Sequence, residues 1–189
     1  EGEYVISGGQ IDELVEVSTL QFSDSLKVLF QNIKIKQLNA YEDSGKTIVI
    51  ILGSGSEVTD RVIVTAHGKD TNLSLTNEGE MGYLGVNAHQ AQATIKNNGK
   101  ITDGMNNTAY GEGSRLEFVN DKEGRITDWM DNNAVEKGEL VFTNNGTISG
   151  EYLFNGAFDG GMLKNTNNGT INVTNDRLFN YAADGFVES

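Results

Sequence analysis

The sequence predicts an all-β fold, a right-handed parallel β-helix (β-solenoid) of about 20 to 25 residues per coil. Three observations predict it. Two interleaved motifs return at that interval, both alternate with period two, and the 189 residues hold 23 glycines and no proline. Proline cannot donate a ladder hydrogen bond, so long stretches of central strand exclude it. Glycine and asparagine then supply the turns.

The first motif begins at Leu73-Ser-Leu75-Thr-Asn77-Glu-Gly79-Glu-Met81 and returns as Ala93-Thr-Ile95-Lys-Asn97-Asn-Gly99-Lys-Ile101. A stretched copy follows, Leu116-Glu-Phe118-Val-Asn120, with Gly124-Arg-Ile126 two residues later than the pattern requires. Leu140-Val-Phe142-Thr-Asn144-Asn-Gly146-Thr-Ile148 and Leu163-Lys-Asn165-Thr-Asn167-Asn-Gly169-Thr-Ile171 complete the series. The glycines stand 20, 25, 22 and 23 residues apart. The second motif runs Leu84-Gly-Val86-Asn-Ala88, then Met105-Asn-Asn107-Thr-Ala109, Met130-Asp-Asn132-Asn-Ala134, Leu153-Phe-Asn155-Gly-Ala157 and Leu178-Phe-Asn180-Tyr-Ala182.

Alternation with period two is the strand period and fits no helical stripe. Leu73, Leu75, Asn77, Gly79 and Met81 share one parity, while the other is mostly Thr, Ser, Lys, Glu and Asn. One face is therefore buried and one solvated. A unit of this size cannot bury its face alone, so stacked copies share one core. A leucine-rich repeat has a comparable period, but its signature and its helix are missing.

Stacking gives the recurrent residues structural roles. Asn77, Asn97, Asn120, Asn144 and Asn167 form one predicted ladder of amides, bonded along the axis at the strand spacing of about 4.8 Å. Asn107, Asn132, Asn155 and Asn180 form a second. Gly79, Gly99, Gly124, Gly146 and Gly169 are predicted corner glycines, placed for the positive φ of a sharp turn.

Two segments follow from the regularity. Residues 1–60 read as an N-terminal cap with irregular first coils, although Lys46 to Leu52 is a buried-strand pattern and Leu26 to Ile35 alternates. Residues 61–189 read as the repeat body, most regular from Leu73. Val62 to Gly68 is a degenerate copy. The stop soon after the motif at Ala182, without a polar cap, predicts a native chain that continues beyond Ser189. The longest apolar run, residues 48–52, is too short to span a bilayer, so no membrane insertion of this segment is expected. Glu1-Gly2-Glu3 is no signal peptide.

With 14 basic and 27 acidic residues the formal charge is −13, which disfavours nucleic acid and anionic membranes as partners. No cysteine is present, so disulfides and Cys-based zinc sites are excluded. The nucleophile-elbow, zinc-protease, P-loop and dinucleotide motifs do not occur, and no cofactor, metal or catalytic residue is assigned. His67 and His89 read as surface or corner residues. Asp103, Asp128, Asp159 and Asp184 recur at similar places. Stacked, they could bind calcium or act as an acid/base pair; ordinary turn chemistry explains them more simply. Asn-x-Ser/Thr sequons at Asn72, Asn106, Asn145, Asn168 and Asn172 follow from the composition of the repeat. Trp129, Tyr152, Phe154, Phe158, Phe179, Tyr181 and Phe186 cluster in the C-terminal half, as a surface stripe for sugar or protein or as core filling.

The Asn-Asn-Gly-Thr-Ile repeats at 144–148 and 167–171, without Cys or Pro and with an acidic balance, resemble the passenger domains of bacterial autotransporter (type V secreted) adhesins. The resemblance covers residues 72–189 and rests on repeat style. The Asn-Pro-Asn-Gly and Asn-Pro-Asn-Leu signatures of two-partner-secretion haemagglutinins are absent, as is the autotransporter serine protease Gly-Asp-Ser-Gly. It implies a non-catalytic adhesin or stalk module, exported to the cell surface or secreted, whose partner is a host or bacterial surface protein or glycan. A β-helical polysaccharide lyase or hydrolase using clustered carboxylates is the alternative.

Overall fold

The structure, a computed structural model, describes residues 2–19, 25–174 and 178–188, so Glu1 and Ser189 lie outside it. It is all-β, and every strand pairing is parallel. About eight coils stack into a β-solenoid, which is the expected fold class.

Each coil places one strand in each of two sheets. The first sheet begins with β1 (Gly2–Ser7), β3 (Leu26–Gln31), β5 (Thr47–Leu52), β7 (Asn72–Asn77) and β9 (Gln92–Asn97). It continues with β12 (Arg115–Asn120), β14 (Glu139–Asn144), β16 (Met162–Asn167) and β19 (Phe186–Glu188). The second sheet stacks β2 (Gln10–Ser18), β4 (Lys34–Glu42), β6 (Glu57–His67) and β8 (Glu80–His89). On β8 follow β10 (Lys100–Ile101) and β11 (Met105–Tyr110), then β13 (Arg125–Val135), β15 (Thr147–Phe158), and last β17 (Thr170–Val173) and β18 (Leu178–Ala183).

Strands of the second sheet bend at their middle. The register shifts between Val58 and Arg61 and between Asp128 and Trp129, and one coil is broken there into β10 and β11. A bulge leaves one residue unpaired and turns the strand, so the coil gains a third side without a separate loop. Connections among the described strands are turns of a few residues.

Alternation puts the core inside. In β12 Leu116, Phe118 and Asn120 are buried while Arg115, Glu117 and Val119 face out. Corresponding positions superpose coil on coil: Ile50, Leu75, Ile95, Phe118 and Phe142 are successive partners, with the two Phe rings stacked at 5.4 Å. Each such side chain is worth roughly 1.5–3 kcal/mol when fully buried.

Within residues 1–60, where a cap and irregular first coils were expected, the described residues carry strands of both sheets in register with the repeat body. The ladder position explains why no repeat is visible there. Ile6, Phe30 and Leu52 precede Asn77 in the first sheet, and Val17, Ala40, Val64 and Val86 precede Asn107 in the second. The same inward site is filled by an apolar side chain, so the fold persists where the asparagine does not.

Candidate functional site

The asparagines are built into the core. Asn77 Nδ2 donates to Asn97 Oδ1 at 2.7 Å, Asn97 to Asn120 at 2.8 Å, Asn120 to Asn144 at 2.7 Å and Asn144 to Asn167 at 2.8 Å. The second ladder joins Asn107, Asn132, Asn155 and Asn180 at 2.8, 2.9 and 2.9 Å. Both run as expected, every amide donating toward the C-terminal end. The first is closed at its start, where Gly79 N donates to Asn77 Oδ1 at 3.1 Å; the second starts under Val86 and leaves Asn107 Oδ1 buried without a partner.

The corner glycines require a correction. Gly79, Gly99, Gly124, Gly146 and Gly169 do not have positive φ. A β-carbon on any of them would instead fall inside 3.0 Å of a backbone carbonyl oxygen of the preceding coil: Gly79 O for Gly99, Gly124 O for Gly146, Gly146 O for Gly169. Close approach of stacked backbones, rather than turn conformation, selects glycine. Positive φ is used elsewhere, at Gly68, Gly104, Gly111 and Gly160 among others.

The four aspartates do not form one stack. Asp128 lies one coil beyond Asp103 at the bend of the second sheet, whereas Asp159 and Asp184 pair at the turn that returns to the first sheet. Asp128, Asp159 and Asp184 all adopt positive φ, which is turn chemistry. Among the described residues no three His, Asp or Glu are grouped to hold a metal.

The aromatic cluster has a definite place. Trp129, Tyr152, Phe154, Phe158, Phe179 and Tyr181 do not fill the core; all lie on the outer face of the second sheet, whereas Phe186 is exposed on the first. Tyr83 joins them from β8. Its ring is 5.7 Å from that of Trp129, which is 6.1 Å from Tyr152. Phe154 is 6.4 Å from Phe158, and Phe158 5.7 Å from Tyr181. On the edge opposite the Tyr83, Trp129 and Tyr152 row, and in the same row as Phe158, His67, His89 and Tyr110 stack at 5.6 and 4.4 Å.

Between these two aromatic rails run Asn87, Asn106, Thr108, Asp131 and Asn133, all facing outward and half-buried. Thr108 Oγ1 donates to Asn106 Oδ1 at 3.0 Å. Burial raises the Asp131 carboxyl above its ordinary value, and among the described residues no hydrogen-bond donor offsets it. Burial, and then the Asp131 charge, push the Tyr83 and Tyr152 phenols up as well. Glu42 behaves oppositely: burial would raise it, but hydrogen bonds from Ser44 and Thr19 hold it below the ordinary value. Hydrogen bonds within the fold satisfy the Glu42 charge, whereas among the described residues none reaches Asp131.

No family model, curated protein or solved structure matches the chain.

Tyr83, Asp131 and the glycines beside the rings were not singled out from sequence. Their signal was parity: with Leu84, Met130 and Asn155 inward, Tyr83, Trp129, Asp131, Phe154 and Phe158 must face out. A separate cavity of about 190 Å³ opens inside the last coils, lined by Phe142, Leu153, Ile171 and Asn165 among others. There Asn165 takes the place below Phe142, and its smaller amide is buried without a partner.

Proposed function

We propose that this chain is a non-catalytic attachment or stalk module of a bacterial surface or secreted protein, of the autotransporter passenger type. The observation that carries the reading is a rigid stack of coils with one outer face paved by aromatic rings and amides. Ladder bonds and parallel pairing fix the spacing of that face, so partner groups meet preorganised contacts. The recurrent aspartates sit in turns at two separate corners, and short connections raise no groove walls around them. Both points favour attachment over polysaccharide cleavage.

Beads coated with the purified chain test this directly. They are expected to be retained on epithelial cells, bacterial cells or immobilised matrix above albumin-coated beads. Retention on none of the three sinks the proposal. Release of reducing ends or unsaturated uronates from a polysaccharide panel would replace it with the enzyme reading.

A further inference from the structure

Three glycines of the second sheet have aromatic rings lying over them. A β-carbon on Gly104, whose φ is also positive, would stand 2.8 Å from Trp129 Nε1 and from the Trp129 carbonyl oxygen and 2.9 Å from Trp129 Cδ1. On Gly85 it would meet Ile63 Cδ1 at 2.9 Å and then Tyr83 Cε1 at 3.2 Å and Oη at 3.3 Å, and on Gly156 Phe158 Cε2 at 2.5 Å and Phe154 Cε1 at 2.7 Å. Glycine leaves room for these rings against the backbone, and Tyr83, Trp129 and Tyr152 stay half-exposed on the outer face. Tyr83 and Trp129, two coils apart, meet across the Gly104 gap, and Tyr152 extends the row along the axis.

We propose that this face binds a neutral, β-linked polysaccharide chain lying along the solenoid axis, its sugar rings against Tyr83, Trp129 and Tyr152 and its hydroxyls toward Asn106, Asp131 and Asn133. This deepens the attachment reading and rests on it.

Sugar chemistry matches the surface in three ways. The C–H faces of β-linked pyranoses are flat and apolar, as are aromatic ring faces, while their edges carry the hydroxyl donors that Asp131 lacks among the described residues. Successive rings of the row stand 5.7 and 6.1 Å apart, close to the length of one sugar in an extended β-linked chain, so successive sugars can meet successive rings. The charge of −13 repels sulfated and uronic-acid chains and selects neutral ones. A protein partner packed on hydrophobic anchors fits less well, since the polar strip between the rails would be buried against it.

The sole tryptophan, Trp129, reports on its own site. Titration of the intact chain with cellohexaose and chitohexaose, with heparin as the anionic control, is read by tryptophan fluorescence and calorimetry. At least one neutral hexaose is expected to change the emission, and heparin is not. Trp129→Ala with Tyr152→Ala is expected to weaken binding about tenfold or more. Trp129→Phe keeps a ring over Gly104 and is expected to retain most of it, and Phe186→Ala on the other sheet to change nothing. Melting followed by circular dichroism checks that each variant is folded.

Binding of neither hexaose, binding of heparin alone, or affinity unchanged in the double variant overturns the proposal. Self-association lost in the double variant, without hexaose binding, reassigns the face to a second copy of the chain. If beads attach to cells but neither hexaose competes, the glycan proposal falls while the attachment reading stands.

Discussion

An asparagine inside a ladder has an amide partner on each side, and the pair fixes its cost of removal. Asn144 Oδ1 accepts from Asn120 at 2.7 Å, and its Nδ2 donates to Asn167 at 2.8 Å and to Thr170 O at 3.3 Å. Asn144→Leu conserves volume but orphans groups on both neighbours. It is expected to destabilise by about 1–3 kcal/mol, seen as a lower melting temperature. Asn168, whose bond to Asn145 lies on the exposed surface, is the control, and Asn168→Ala is expected to stay within about 0.5 kcal/mol. The corner glycines make a sharper case. Gly99→Ala drives a methyl into Gly79 O and is expected to cost about 3 kcal/mol or more, since neither stacked backbone can move alone. Gly113→Ala, with positive φ but open space, is expected to cost only about 1–2 kcal/mol. Equal losses would argue for turn conformation at both. Sequence identified these asparagines and glycines by recurrence; it did not reveal why glycine is needed, because a positive φ and a close approach leave the same residue type.

At the scale of the element, legibility followed the polar ladder. From β7 to β16 asparagine ends each strand of the first sheet, so the repeat stands out. In β3 and β5 Phe30 and Leu52 occupy the same site, and an inward apolar residue is indistinguishable from any other strand residue. The bend of the second sheet was hidden for another reason: a bulge adds an unpaired residue without a fixed residue type. β13 carries the clearest functional consequence. Asp131 lies outward between Asn106 and Phe154, and its raised pKa means that the folded protein holds this proton more tightly than the unfolded chain. Ionised Asp131 therefore subtracts from stability at neutral pH, and the penalty is relieved as pH falls through the folded pKa. Asp131→Asn is expected to melt higher than the parent at neutral pH, with the gap closing as pH is lowered into the carboxylate range. A variant that melts lower at neutral pH would show that the carboxylate is satisfied within the fold. A destabilising carboxylate on a half-buried outer face is the kind of cost that a binding surface retains.

For the whole molecule, order arises from repetition rather than from a central core. Each coil contacts chiefly the coils on either side, so the core is a column and the ladders run along it. The column fixes the outer face as firmly as the inner one, because alternation ties each outward ring to its inward neighbours. Fold and face therefore depend on one quantity, the register between coils. The chain contains no cysteine, so engineered pairs report that register without interference. Thr94 and Glu117 face outward on paired positions of β9 and β12, and Lys27 and Val49 on paired positions of β3 and β5, where the sequence shows no repeat. Residues directly opposite lie within the Cα separation of about 4.4–6.8 Å that a disulfide spans, while a partner two residues along the strand does not. Mild oxidation of Thr94→Cys/Glu117→Cys and of Lys27→Cys/Val49→Cys, read by mass spectrometry, is expected to give near-complete intramolecular disulfides, with little from Thr94→Cys/Val119→Cys. Failure of the first two pairs, or preferential closure of the third, would contradict the stacked register on which both the fold and its binding face depend.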